Sequence, residues 1–486
     1  MPNESTNSRP DGDRPPARSD RPTRSRRHFL ALTGVSAAGL TGLAGCSTAT
    51  ITPDNGGGDG SDGGSDGDDT PDGTPTDAAN AVPRSLEAWP GYDPEWSAPT
   101  TSPLEADLET EVLVENLEIP WDLAFAPDGS LFITERVGRV LQFDGGEVRT
   151  VAEPAGAIDA GALEPGSDKR PWWVRGGEGG TLGIAVHPNY PDPPHVFVYY
   201  TYRDETDTRY NKVAVFDVES ADPGTAVRTV VDGIPADSYH NGGRVTFGPR
   251  NHLWITCGDG GEPDNAQNLA SLAGKILRVT PEGDPAPGNP DYDDPDADRR
   301  IFTYGHRNPQ GVVWTPDGTP FNSEHGPSGR DEINRLVAGD NYSWDDVFKP
   351  DDYPGSGFHP PVFNTGATSF APTGSLFYTG DRAPALRNRM ITGGLISQQL
   401  IVTTLTPAGD PLPPSEDAYA QVTADWSDDA YVATVHTMFK NELGRIRHVE
   451  QGPEGDIYVC TSNRDGRANG EFPREVDDVL VRIRPA

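Results

Sequence analysis

Pro127-Asp128-Gly129-Ser130-Leu131-Phe132-Ile133-Thr134 joins a tight turn to a short strand. Proline presets φ, aspartate bonds its own backbone, and glycine takes φ values closed to other residues. Leu-Phe-Ile-Thr supplies the branched and aromatic side chains that suit a pleated surface. The string returns as Pro249-Arg250-Asn251-His252-Leu253-Trp254-Ile255-Thr256 and as Pro453-Glu454-Gly455-Asp456-Ile457-Tyr458-Val459-Cys460. Looser copies start at His187-Pro188, leading to Val196-Phe197-Val198-Tyr199, and at Pro316-Asp317-Gly318. Prolines 127, 188 and 249 are 61 residues apart, and the next copy follows after 67. Such a period marks stacked or radial units. Residues 104–486 hold about six of them, within the range of propeller blades. Helical periodicity is scarce, with Asp331 to Val337 a short candidate. The expectation is an all-β, six-bladed β-propeller with long loops over a central cavity. Loops 154–181, 284–300 and 407–430, rich in Gly, Pro and Asp, are long enough to expect function of them.

Composition narrows the partners. The chain has 486 residues and a formal charge of −36, and only five of its 39 basic residues are lysine. Nucleic acid needs a cationic footprint, so it is excluded. An acidic, lysine-poor surface fits solubility in concentrated salt, where like-charge repulsion is screened. A halophilic source follows as an expectation, checked by a melting temperature that rises from low to molar salt. Hydrophobic content is 34%, and the deficit sits in the first hundred residues. Of three cysteines, Cys257 and Cys460 end apolar runs and read as buried thiols. A disulfide between them is the alternative in an exported chain.

The front end reads as an address. Ser25-Arg26-Arg27-His28-Phe29-Leu30 opens an uncharged apolar stretch that ends at Leu43-Ala44-Gly45-Cys46. Paired arginines before such a stretch read as a twin-arginine export signal. The stretch is too short and glycine-rich for a membrane span. Leu-Ala-Gly-Cys resembles a lipobox, which would lipidate Cys46. Residues 1–46 are therefore expected to be a signal with lipobox. Residues 47–103 are expected to be a disordered Gly/Asp/Thr/Pro-rich tether, and 104–486 the propeller. The location implied is the extracellular face of a membrane, held by lipid alone.

Tyr239-His240-Asn241-Gly242-Gly243-Arg244 precedes the second exact repeat, and Gly258-Asp259-Gly260-Gly261 follows it. His240 and Asp259 flank one hairpin, which could bring them together. A histidine oriented by a carboxylate is the minimal general-base unit. A hydrogen-bonded loop histidine and a turn-capping aspartate are the plainer readings. Further clusters are Glu178-Gly179-Gly180-Thr181-Leu182-Gly183, Tyr304-Gly305-His306-Arg307-Asn308-Pro309-Gln310-Gly311, Glu324-His325-Gly326-Pro327, Asp331-Glu332-Ile333-Asn334 with Asn341-Tyr342, and Arg445-Ile446-Arg447-His448. Arg445 and Arg447 alternate and so face one side of a strand. Asp331-Glu332 also suits a helix N-terminus. His306 and His325 read as structural. Gly176 to Gly180 is not a nucleotide loop, because it lacks the Lys-Ser/Thr ending and a following helix.

These strings, in this order, resemble the soluble quinoprotein sugar dehydrogenases of the glucose/sorbosone dehydrogenase family. The resemblance implies a six-bladed propeller that binds pyrroloquinoline quinone (PQQ) and Ca2+. It would oxidise the C1 hydroxyl of aldose sugars to lactones and pass electrons to an external acceptor. It implies His240 as the base, Asp259 as the residue fixing its tautomer, and Arg307 over the quinone carbonyl. It implies Asn308, Arg445 and Arg447 as cofactor ligands, with Glu178 beside the base where relatives often carry glutamine. The carbonyls of Gly326 and Pro327 would ligate the calcium that holds the quinone, and Glu332 with the Tyr342 carbonyl a second, structural calcium. A lysine that contacts the quinone in some members has no counterpart near Gly393 to Ser397. The expected enzyme is monomeric or homodimeric. Two alternatives stand beside it: a non-catalytic binding module, as in hedgehog-interacting proteins, and a calcium-dependent propeller lactonase. The retained histidine and arginines weigh against the first, and the scarcity of side-chain metal ligands against the second.

Overall fold

The computed structural model describes residues 82–167 and 174–486. The twin-arginine string, Cys46 and the tether up to residue 81 lie outside the described residues. The repeat folds into six antiparallel sheets. Their first strands are Pro120–Phe125, Thr181–Val186, Val245–Phe247, Pro309–Trp314, Pro372–Tyr378 and Ile446–Gln451. Five sheets have four strands, and the fifth in chain order has five because Ala420–Gln421 pairs with Tyr431–Met438. The last blade is composite. Leu108–Val114 pairs with Leu480–Pro485, Leu108 opposite Pro485, so the two ends of the propeller close the ring by hydrogen bonds.

The turn after each first strand is the repeat's signature. Gly129 donates its N–H to the Ala126 carbonyl, Gly318 to Thr315 and Gly455 to Gly452. These glycines hold φ of 89°, 88° and 87°. The Pro249 copy has Asn251 there, at φ 56°, the residue that best tolerates this region after glycine. The blade after Phe370 lacks the motif: its turn, 379–388, carries a short 3-10 segment at Pro384–Leu386. The sequence pattern therefore shows five of the six blades.

The core is a set of layers between neighbouring blades. In one, Phe197, Tyr199 and Val213 of the second blade meet Ile255, Leu277 and Val279 of the third, all fully buried. Cys257 and Cys460 are free and buried, as read from their apolar runs.

Two expectations are corrected. Asp331 to Val337 is not helical: Glu332–Arg335 is a strand, paired in register with Phe321–Glu324. A single turn of helix is costly to nucleate, and a sheet edge offered every backbone group a partner. Among the described residues α-helix is confined to Asp264–Gln267. Second, residues 82–103, expected to be disordered tether, are ordered. Residues 82–103 lie against the propeller. Arg84 donates to the Pro249 carbonyl, Asp93 to Pro316, and Trp96 packs edge-on against Phe377 at 5.8 Å. Asn388 donates to the Ser97 carbonyl. Trp96 and the buried Ala98 give this segment apolar surface to hide, which the glycine-rich part lacks.

Candidate active site

Each first strand descends along the central channel. The loops that precede it, and those between second and third strands, therefore gather on one face. They enclose a cavity of about 500 Å³. His240, Arg307 and Arg445 come from loops of the first kind. Arg136, His325 and Arg467 come from loops of the second kind.

His240 sits at φ 58°, a costly conformation for a side chain branching into a ring. Its ring is 13% exposed, and Nδ1 lies 2.8 Å from Asp259 Oδ1. Asp259 is fully buried. Its Oδ1 also accepts the Gly261 N–H at 2.8 Å, and its Oδ2 accepts Trp344 Nε1–H at 2.8 Å. A carboxylate that accepts from every side makes Nδ1 the protonated nitrogen, leaving Nε2 as the basic one. The hairpin can close this tightly because Gly258 has no side chain; a Cβ there would collide with the His240 carbonyl.

Glu178 lines the cavity beside the base. Its Oε2 accepts the His240 backbone N–H at 3.0 Å, and its Oε1 pairs with Arg467 at 2.9 Å. Burial would raise its carboxyl, but His240, Arg467 and that N–H outweigh burial and hold it below the usual range.

Arg307 lies with its guanidinium 5.2 Å from the Trp344 ring and donates to the His325 carbonyl. Its backbone N–H is taken by Glu324. Arg447 donates to Gln310 Oε1 at 3.1 Å, and Arg136 donates to the carbonyls of Gly179 and Gly177. Among the described residues these three guanidiniums form no ion pair with a carboxylate, although all three line the cavity. Arg307 Nε, Arg447 Nε and His325 Nε2 are buried without a hydrogen-bond partner. Burial brings the His325 imidazole down to about 3, so it is neutral and offers a hydrogen bond rather than a charge.

The remaining sequence-predicted residues divide. Arg445 lines the cavity, but Asp465 takes its charge at 2.8 Å. Asn308 does not line the cavity. Its Oδ1 accepts the Gly242 N–H at 3.0 Å and Gln310 Nε2 at 3.3 Å, so it braces the loop that carries His240. Gly326 lines the cavity, and a small recess beside it is lined by Pro327, Glu332 and Tyr342. Glu332 accepts from the Tyr353 hydroxyl and Asn364. Burial, with Glu324 adding to it, pushes Glu332 up to about 8. The Tyr342 hydroxyl is committed to the Arg335 carbonyl, and its ring stacks on His306. Among the described residues no three acidic, histidine or cysteine side chains converge as a metal site. A cation at Gly326 and Pro327 would depend on backbone carbonyls, and one beside Glu332 on that single carboxylate with carbonyls.

Trp344, Arg136, Asp465 and Arg467 escaped the sequence reading, and Gln310 stood in a quoted string without a role. Arg136, Asp259, Asp465 and Arg467 all follow the second strand of a blade. Aligning the repeats at that position would have found three of them. Of the three long loops, only 154–181 reaches the cavity, through Gly177 and Glu178.

The model of the glucose/sorbosone dehydrogenase family matches residues 117–471. The chain belongs to that family. Within it, the aldose sugar dehydrogenase YliI of Escherichia coli (strain K12) is 28% identical over 399 residues, spanning 78% of this chain and 95% of that protein. The quinoprotein glucose dehydrogenase B of Acinetobacter calcoaceticus is 29% identical over 277 residues, 50% of this chain and 53% of its own length. The PQQ-bound structure of an aldose sugar dehydrogenase from Streptomyces coelicolor superposes with a TM-score of 0.61 at 28% identity. That match covers 80% of this chain and 99% of the other.

Proposed function

We propose that this chain is a PQQ-dependent dehydrogenase that oxidises the C1 hydroxyl of aldoses to lactones and hands the electrons to an external acceptor. One observation carries the reading. A histidine with a fixed tautomer lines the same cavity as three guanidiniums that lack a carboxylate partner. The donor set fits a flat quinone bearing carboxylates, because Arg136, Arg307 and Arg447 keep charges that no carboxylate takes, and the Nε–H groups of Arg447 and Arg307 are unspent. His325 Nε2 is a further unspent hydrogen-bonding group. Calcium would be held by the carbonyls of Gly326 and Pro327, with a second ion at Glu332 and the Tyr342 carbonyl, since hard cations take oxygen ligands. When bound, the quinone supplies the two-electron acceptor.

The protein's own part is proton and charge management. His240 Nε2 takes the hydroxyl proton of the sugar. Asp259 stabilises the imidazolium that results, and Trp344 and Gly261 keep Asp259 in place. Arg307 stabilises negative charge that develops opposite the base. Read as an export signal and a lipobox, the strings at Arg26-Arg27 and Leu43 to Cys46 would put this chemistry outside the cell, anchored through Cys46. Replacing Cys46 with Ser should release the protein to the medium.

The deciding experiment mixes purified protein with PQQ, with and without calcium, and then follows dye reduction by aldoses. An absorbance change on mixing and sugar-dependent reduction are expected. His240→Ala should keep the absorbance change and lose about 10²- to 10⁴-fold in kcat. A protein that takes up no quinone, or a His240→Ala variant of full activity, overturns the reading.

A further inference from the structure

The His240 backbone is strained, and the group that restrains it is itself held from another blade. Glu178 precedes the second blade, and Arg467 follows the second strand of the last. Each side chain is 23% exposed, so their contact at 2.9 Å is made at the cavity wall and not in the core. Glu178 also donates its own N–H to the Ser238 carbonyl at 2.7 Å, two residues before the base. One carboxylate thus links the base-bearing loop to a loop of another blade.

We infer that the Glu178–Arg467 ion pair positions His240 and sets how readily it takes a proton, with the two members acting in opposite directions. The inference rests on His240 being the base. Glu178 favours the imidazolium by its charge, and Arg467 cancels part of that charge. Removing the carboxylate should lower the proton affinity of the ring. Removing the guanidinium should raise it, because Glu178 then loses its ion-pair partner and keeps only the longer-range pull of Arg136, Arg307 and Arg447. The other charged and titratable groups that face His240 stay in place. These are Asp259 on Nδ1, Tyr239 against the ring edge at 4.6 Å with Asp237 on the same loop, Arg307, and the neutral His325.

Glu178→Gln keeps an acceptor for the His240 N–H while deleting the charge, and Arg467→Gln deletes the opposite charge. The imidazole titration of His240 is followed by NMR in the protein without quinone, with His240→Gln assigning the resonance. The midpoint should fall in Glu178→Gln and rise in Arg467→Gln, by about half a pH unit or more each. Arg467→Lys should restore the parental value. In reconstituted enzyme the acid limb of the kcat profile should move the same way, with KM changing less than kcat. Midpoints that do not move, or that move together in both variants, overturn the inference. The NMR arm reads the protein without cofactor, so a failure of quinone binding counts against the proposed activity and leaves this test standing.

Discussion

At the scale of the residue, the geometry of His240 depends on groups that do not line the cavity. Asp259 can fix the tautomer of His240 only while its second oxygen is engaged, and Trp344 Nε1–H engages it at 2.8 Å. Trp344→Phe removes that bond and keeps an aromatic face under Arg307. It should lower kcat about tenfold with KM within about twofold, read by steady-state dye reduction, because outer partners of a working histidine carry effects of about 10- to 100-fold. The His–Asp pairing was legible in the sequence because one hairpin separates the two residues. Trp344 was not, since it lies 85 residues from its partner and comes from another blade. Asn308 shows what a string leaves out. Its place in a specific string marked it as a ligand, yet its amide oxygen is spent on Gly242.

At the scale of the element, the strand repeat was legible because its turns need particular residues. Gly129, Gly318, Gly455 and Asn251 all hold positive φ at one position of the turn. The blade with a longer turn, 379–388, carried no such marker. Leu277 shows what each strand contributes: it is fully buried between two blades, and Leu277→Ala should cost about 2–5 kcal/mol in urea unfolding. The segment 82–103 crosses the turns after the first strands of three blades, which lie at the other end of the channel from the cavity. A chain starting at residue 104 should therefore melt several degrees below one starting at 82. Equal melting temperatures would return the segment to the tether.

At the scale of the whole molecule, one indole closes the channel. Trp121 lies between the guanidiniums of Arg244, at 4.4 Å, and Arg447, at 5.7 Å. Below it the six first strands line a second opening that holds Asp122, Arg244, His448 and Glu450. His448 Nε2 is 3.1 Å from Glu450 and 3.3 Å from Asp122. Burial, and then the charge of Asp122, push Glu450 up to about 8. A raised carboxyl contributes stability that is complete below its unfolded value near 4.5 and is lost as pH rises through 8. Glu450→Gln should therefore melt above the parent at pH 8, with the gap closing by about pH 4. The gain should be about 1–2 kcal/mol, because 31% of the side chain remains exposed and solvated.

The sequence by itself determined the strand-and-turn unit, its six-bladed arrangement, and the pairing of His240 with Asp259. All of these rest on local rules: turn residues that reach positive φ, alternation along a strand, and partners one hairpin apart. Only the tertiary structure decided which arginines keep their charge free for a ligand and which spend it. Arg445 and Arg467 lose theirs to Asp465 and Glu178, while Arg136, Arg307 and Arg447 do not. Asp465 reaches Arg445 within one blade, whereas ring closure brings Arg467 to Glu178 from loops 289 residues apart, and no local pattern encodes which loops will meet.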